Sequence, residues 1–143
     1  MLIDQRGSEV LPRPECARLL ALHSGGVGRL GMVVEDQPAV VPLGYTLVDG
    51  YVVVRIGAGT ILATIRSGTA IVAFEFDHTP ADRRSYWWSV LLQGHAEEIT
   101  DPALLARLRP VMPAPAVPEP GGRLVRIHPD VLSGRRFFPR ALA

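Results

Sequence analysis

A two-residue turn, Asp49-Gly50, lies between two runs rich in β-branched residues. Asp-Gly is strongly preferred in tight β-hairpins, so the sequence predicts a strand over 38–48 and a return strand over 51–56. Pro42 stands in the middle of the first strand, and a proline has no N–H to donate to a neighbouring strand. We therefore expect this strand to be bulged there or to lie at the edge of a sheet.

Apolar and β-branched runs predict further strands over 27–34, 69–77, 85–99, 123–128 and 133–138. Short helices are expected over 12–23, 60–67 and, after Asp101-Pro102, over 103–109, with a loose arm over 1–11 and an irregular proline-rich stretch over 110–120. The first helix should have Leu22 on its apolar face, and Gly94 should mark a bend in the strand over 85–99. Alternation places Val72, Phe74 and Phe76 on one face of their strand. Hairpin-joined strands with few helices are typical of an antiparallel barrel, which the crossover at 60–67 would split as a Greek key. We predict a mainly β single domain over 1–143, a split β-barrel of six to seven antiparallel strands with a few short flanking helices.

Composition narrows the possible functions. The net charge of +1 gives no reason to expect a nucleic-acid or membrane partner, and no apolar run approaches the ~18 residues of a membrane span. No signal-peptide pattern is visible, and Cys16 is the only cysteine, so we expect a cytoplasmic protein with no disulfide. All fifteen basic residues are arginine, which excludes lysine chemistry.

The stretch Val52–Ile61 combines a strand, an arginine, two glycines and a threonine that opens a helix. Such a unit can direct backbone N–H groups at one spot, and Arg55 adds donors suited to phosphate. Thr60 could cap the helix or donate its hydroxyl. One interpretation is a small cradle for a cofactor phosphate; the other is an ordinary strand-to-helix turn with a surface arginine. Spacing alone favours the second.

Other candidate motifs support few kinds of chemistry. Trp87-Trp88-Ser89 could border a flat aromatic ligand, or the two tryptophans could simply cover both faces of a strand. The four histidines have no metal-site spacing, and Glu97-Glu98 should point to opposite faces of a strand, which excludes a glycosidase pair. Cys16 is interpreted as a core residue. We predict no catalytic side chain and no metal site.

Five segments are informative through their order and spacing: Val27-Gly28-Arg29-Leu30, Val40–Tyr45, Val54–Thr60, Trp88–Gly94 and Glu97-Glu98-Ile99. Together they resemble the pyridoxamine 5'-phosphate oxidase-like, flavin-binding split-barrel family. The resemblance covers nearly the whole chain.

The resemblance implies a homodimer that binds FMN, or a deazaflavin coenzyme, in grooves at the subunit interface. It places Val41, Pro42, Leu43 and Gly44 along the flavin ring, with Ser89, next to Trp88, facing it. The phosphate would be held by the segment from Arg55, Ile56 and Gly57 through Thr60 and Ile61.

Two positions depart from the family pattern, which has a hydroxyl residue at 56 and a basic residue at 61. Ile56 and Ile61 remove two expected phosphate contacts, each worth ~1.5–3 kcal/mol if charge-assisted. Arg29, Arg66 or an arginine of a partner subunit could compensate. A long anionic deazaflavin tail would need a basic groove, for which the pairs Arg83-Arg84 and Arg135-Arg136 are candidates.

The family's vitamin B6 oxidases carry a longer basic C-terminal motif, whereas this chain ends in Pro139-Arg140-Ala141-Leu142-Ala143. Vitamin B6 oxidation is therefore not expected. The leading hypothesis is an FMN- or deazaflavin-dependent oxidoreductase acting on a small organic substrate. The alternative is a non-catalytic flavin- or small-ligand-binding protein that has lost tight cofactor binding.

Overall fold

The structure is a computed structural model that describes residues 2–5, 7–68, 70–82, 85–114 and 122–138. Nine strands within these residues form one antiparallel sheet, and the helices beside it are short. The strands are β1 (Leu2–Ile3), β2 (Glu9–Leu11), β3 (Val27–Val34), β4 (Gln37–Val48), β5 (Tyr51–Ile56), β6 (Ile71–His78), β7 (Trp87–Glu98), β8 (Arg123–Ile127) and β9 (Val131–Phe137). The helices are α1 (Arg13–Leu22), α2 (Thr60–Arg66) and α3 (Pro102–Leu108), followed by a 3-10 turn (Arg109–Val111).

Six of the strands close into a barrel, in the order β7-β6-β3-β4-β5-β8 and back to β7. One edge of β7 pairs with β6, while its other edge pairs with β9 over 87–93 and with β8 over 96–98. The barrel is split where this edge changes partner. The predicted split β-barrel is confirmed.

The chain order of the barrel follows a Greek key. Strands β3, β4 and β5 form a meander, and α2 then carries the chain back so that β6 pairs with β3, the first of the three. This is the spatial order that defines the motif. The predicted crossover at 60–67 therefore does produce the Greek key.

Pro42 lies where β4 has only one neighbouring strand. Residues 37–44 pair with β3 alone, and only residues 45–48 pair with β5. Of the two arrangements expected for this proline, a bulge or an edge, the structure shows the edge. The turn at Asp49-Gly50 is a tight hairpin in which both residues have positive φ, of 50° and 82°, as its sequence predicts.

The N-terminal segment is not a loose arm, so that prediction was wrong. Strand β2 pairs with β9, and β1 pairs with β2. A salt bridge between Arg136 and Glu9, at 2.8 Å, joins β9 to β2. The pairing of β2 with β9 could not be identified from local sequence, because β2 has only three residues and the paired residues lie more than 120 positions apart.

The interior divides into two apolar clusters. The larger fills the barrel with alternate residues of its strands and is covered by α1 and α2; Cys16 is fully buried in it, as expected for a core residue. Leu22, expected on the apolar face of α1, is instead 65% exposed. The smaller cluster lies under α3, on the other side of β5, around Val53 and Leu108. Within the described residues, no helix is both long and apolar enough to cross a membrane.

Gly94 lies at the bend of β7, as the sequence suggested, between the stretch paired with β9 and the stretch paired with β8. A Cβ at this position would lie far inside van der Waals distance of the His128 carbonyl oxygen. The two backbones approach this closely because His128 donates its N–H to the His95 carbonyl, at 2.8 Å. The barrel closes where these two backbones meet, next to the pairing of β7 with β8.

We predict that Gly94→Ala destabilises the fold by roughly 3 kcal/mol, because backbone atoms must move to admit the methyl group. Urea denaturation measures the change. Gly31→Ala is the matched control on β3, where a Cβ would meet only ordinary contacts of 3.8 Å or more. Equal stability of the two variants would contradict the assigned close approach.

Candidate functional site

The predicted ring-binding stretch, Val41–Gly44, alternates between two environments. Val41 and Leu43 pack against the barrel core, whereas Pro42 is exposed on the outer face. Along this stretch β4 pairs with no strand other than β3 among the described residues, so one edge of its backbone is left open. Backbone contacts to a flat ligand are possible along such an edge. Pro113 approaches Gly44 from this region, at 3.1 Å from where a Cβ would be.

Tyr45 anchors the end of that stretch. Its hydroxyl donates to the Leu20 carbonyl oxygen at 3.0 Å, and its backbone bonds Gly25 and Gly26. Burial raises the pKa of Tyr45 to about 12, so the phenol stays protonated. The loop after α1 is thereby tied to the strand that is predicted to hold the flavin.

Ile56 and Ile61 serve the core. Ile56 is 5% exposed and belongs to the barrel cluster, and Ile61 packs against the same cluster. Their side chains therefore fill apolar space rather than face a phosphate. This gives a physical reason for the departures from the family pattern: at these two positions the chain has packing in place of polar contacts.

The turn between them differs in one detail from the sequence prediction. Gly59 is the N-cap of α2, with φ of 156°, and Thr60 is the first helical residue and is exposed. No side chain caps the helix, so of the two roles suggested for Thr60 the N-cap is wrong, while donation of its hydroxyl to a ligand stays a prediction. Gly57 is partly buried beside the start of this turn.

Trp88 and Ser89 lie on opposite sides of β7. Trp88 is only 4% exposed and packs among aromatic rings, with centroids 5.2 Å from Phe76 and 4.8 Å from His23. Ser89 belongs to the outer face, as does Trp87, which stacks on Phe137. The interpretation that the two tryptophans cover both faces of a strand is confirmed. Burial, reinforced by nearby His78, lowers the pKa of His23, which favours its neutral form.

Arg55 extends from β5 on the side opposite the barrel core. Its side chain lines a cleft of about 350 Å³. We call it the arginine cleft, and the side chains that characterise it are Arg55, Arg109, Arg123, Glu98, Thr100 and Leu105. Its apolar floor is continuous with the cluster under α3. Only Arg55 among the three arginines was identified from the sequence.

The charges in the arginine cleft are unevenly balanced. Glu98 is its one carboxylate, and Arg66 binds that carboxylate with two N–H groups at 2.6 and 3.0 Å. Arg123 lies 3.9 Å from the same oxygen, too far for a hydrogen bond. Arg109 has no hydrogen-bond or ion-pair partner among the residues that the structure describes. The cleft therefore has an excess of positive charge.

The described arginines that the sequence offered as further phosphate ligands, or as a groove for a deazaflavin tail, are already paired with carboxylates. Arg29 bonds Glu75 at 3.1 Å on the outer sheet face, and Arg66 is bound to Glu98. Arg135 pairs with Asp4 at 2.6 Å. Arg136 binds two glutamates, Glu9 and Glu15. Arg83-Arg84 and the C-terminal stretch 139–143 lie outside the described residues.

Glu97 and Glu98 point to opposite faces of β7, as expected. Glu97 accepts hydrogen bonds from His128 and Arg126, and the contact with His128 is the main reason that its pKa is lowered. Glu98 faces Arg66 instead. The two carboxylates therefore cannot converge on one substrate atom. Among the described residues, no three His, Cys, Asp or Glu side chains are placed to hold a metal ion.

The outer face of the strands β4, β3, β6, β7 and β9 carries an uncovered apolar surface. We call this the outer sheet face. Its large apolar members are each more than half exposed: Val27, Val33, Val40, Ile71 and Val131. They surround the ion pair between Arg29 and Glu75. The pKa of Glu75 is raised by burial and by nearby Asp77. Contiguous apolar surface of this kind commonly marks an interaction site.

The comparisons with known proteins agree with this fold. The family described as pyridoxamine 5'-phosphate oxidase matches residues 12–136. A relative from Mycobacterium tuberculosis, the uncharacterized protein Rv0080, is 35% identical over 131 residues, covering 89% of this chain and 84% of the relative. This chain belongs to the pyridoxamine 5'-phosphate oxidase-like family.

Two solved structures share the fold over 91% of this chain and 98% of their own. One is the FAD-binding protein from Mycobacterium smegmatis, with a TM-score of 0.71 and 27% identity. The other is a FAD-binding protein from Mesorhizobium loti, with a TM-score of 0.74 and 25% identity. Flavin binding is thus represented among the structural relatives of this family member.

Proposed function

We propose that this protein is a homodimeric flavin-binding oxidoreductase that holds the cofactor phosphate at Arg55. The observation that carries the proposal is the excess positive charge of the arginine cleft, in a family whose solved relatives bind flavins. FMN is the cofactor favoured by the sequence, with a deazaflavin coenzyme as the alternative. The substrate would be a small organic molecule.

The residues present fit a phosphorylated cofactor. Arginine offers planar donors that match phosphate oxygens. Arg55 donates one long hydrogen bond, 3.4 Å to the Pro113 carbonyl oxygen. The glycine turn at 57–59 follows Arg55 closely in the chain, and its backbone can approach a ligand. Arg109 and Arg123 add further positive charge to the same cleft.

When bound, the flavin ring supplies the hydride chemistry. The protein's part would be to bind and orient it. The open backbone edge at Val41–Gly44 would lie along the ring, with Ser89 facing it from β7. No side chain is assigned the role of a general acid or base, because transfer of a hydride to or from the ring does not require one.

A second candidate function is a non-catalytic flavin- or small-ligand-binding protein. The burial of Ile56 and Ile61 favours it, because a site with fewer charge-assisted contacts binds phosphate less tightly. Turnover of a reducible substrate by the flavin-loaded protein distinguishes the two candidates.

The outer sheet face supports the homodimer. This face is apolar and exposed, and it carries one positive and one negative side chain, Arg29 and Glu75. The same face of two copies could therefore pack together across a two-fold axis. In this arrangement the open edge of β4 would lie beside the partner. We also propose a cytoplasmic location, consistent with a single, buried and unpaired cysteine.

The visible spectrum of the purified protein tests flavin binding directly. We expect either a bound-flavin absorption or, for protein purified without cofactor, quenching of flavin fluorescence on titration with FMN. A colourless protein that binds neither FMN nor a deazaflavin would overturn the proposed function.

Arg55→Ala should weaken flavin binding at least about tenfold, because one charge-assisted contact to phosphate is lost. Fluorescence titration gives the dissociation constants. The matched control is Arg107→Ala, since Arg107 is 69% exposed on α3 and does not line the arginine cleft. An unchanged constant for the Arg55 variant would show that the phosphate binds elsewhere.

Light scattering should give twice the 15.5 kDa mass of one chain. Val40→Asp should shift the protein toward monomer, because it places a charge in the outer sheet face, where Val40 is 69% exposed. Leu22→Asp is the control, an equally exposed leucine on α1, which packs on the opposite side of β9. A wild-type protein of 15.5 kDa would contradict the dimer.

A further inference from the structure

The arginine cleft has more cationic groups than a single phosphate requires. We infer that it binds a diphosphate, with the first phosphate at Arg55 and the second between Arg109 and Arg123. The placement of the first phosphate rests on the proposed function; the two further arginines are assigned from their charge and position in the fold alone.

Most of the other described arginines are held by carboxylates; the exceptions, Arg13 on the Pro129 carbonyl oxygen and Arg107 at 4.0 Å from Asp49, lie outside the cleft. Arg18, Arg29, Arg66, Arg135 and Arg136 each make a carboxylate contact between 2.6 and 3.1 Å. Arg123 comes no closer than 3.9 Å to a carboxylate, and Arg109 has no partner among the residues described. Arg109 can therefore bind an anion without breaking an ion pair, and Arg123 would give up only one long contact with Glu98.

The fold brings the three arginines together from separate segments. Arg55 comes from the end of β5, Arg109 from the turn that follows α3, and Arg123 from the start of β8. Arg55 pairs in register with Leu124, next to Arg123, so β5 and β8 hold two of them at adjacent positions. The third is positioned by the packing of Leu108 in the cluster under α3. The cleft is therefore built by the core, not by mobile surface chains.

The size and lining of the cleft match a diphosphate. Its volume of about 350 Å³ lies within the range of small-molecule sites. The hydroxyl of Thr100 adds a possible donor at the rim, and Leu105 provides an apolar wall for a sugar or base beyond the phosphates. A diphosphate carries more negative charge than a monophosphate, which suits three arginines better than one.

Two ligands share this chemistry. One is a flavin dinucleotide, whose second phosphate follows the first along the same molecule. The other is a separate nucleoside diphosphate that binds beside a flavin with one phosphate. Titrations with FMN, FAD and ADP distinguish them, since only FAD joins both parts.

We expect wild-type protein to bind FAD at least about tenfold more tightly than FMN, as one added charge-assisted contact predicts. In the double variant Arg109→Gln and Arg123→Gln, the ratio of the two dissociation constants should fall close to one. Arg107→Gln, on α3 and two residues before Arg109 but outside the cleft, should retain the wild-type ratio. Glutamine keeps most of the side-chain length, and thermal denaturation checks that each variant is folded.

ADP identifies the source of the diphosphate. If ADP competes with FAD and its binding is lost in the double variant, the flavin dinucleotide is supported. If ADP binds together with FMN and FAD shows no advantage, the separate nucleotide is supported.

The inference is overturned if FAD has no advantage over FMN and ADP does not bind. It is also overturned if the double variant keeps the wild-type FAD-to-FMN ratio and its ADP affinity. The proposed function fails in a different way, when neither flavin binds; ADP binding that depends on Arg109 and Arg123 would then leave the cleft assignment standing.

Discussion

Closure of the barrel depends on β7. This strand has twelve residues and pairs with three others, β6 along one edge and first β9, then β8, along the other. The change of partner is possible because Gly94 lets the His128 backbone come closer than any side chain would permit. Without that approach β8 could not pair with β7, and the cleft beside β8 would not form. The position of Arg123, at the start of β8, therefore depends on the backbone contact between Gly94 and His128, just beyond the end of that strand.

The two faces of the barrel wall have different roles. Inward residues, including Ile56 and Trp88, fill the core and contribute stability. The outward residues of β5 and β8 lie under α3 and form the floor of the arginine cleft, while the outward residues of β3, β4 and β6 form the outer sheet face. Because side chains alternate along a strand, one neighbouring pair can serve both purposes, as Arg55 and Ile56 do. At position 56 the departure from the family pattern thus places an apolar side chain in the core.

Local patterns predicted most of the elements. Asp49-Gly50 located the hairpin, alternation placed Val72, Phe74 and Phe76 on the buried face of β6, and the helix after Asp101-Pro102 was found within one residue. The failures have a common cause. The pairing of β2 with β9 joins segments far apart in the chain, and the exposure of Leu22 depends on where α1 meets the sheet. The cap of α2 was assigned to Thr60 rather than Gly59, an error of one residue at an element boundary.

The sequence by itself determined the split barrel, its Greek-key order and the family, because each depends on local pattern and the order of segments. For Pro42 it allowed a bulge or an edge, and the pairing of β4 decided between them. Only the tertiary structure decided which arginines are available to an anion. Arg29 and Arg66 were equal candidates in the sequence, yet both are bound to glutamates. Arg109 and Arg123 carried no local signal, and they join Arg55 in the Val52–Ile61 stretch only because β8 and α3 pack against β5. Charge is visible in a sequence, but whether a charge is already paired depends on contacts between distant residues.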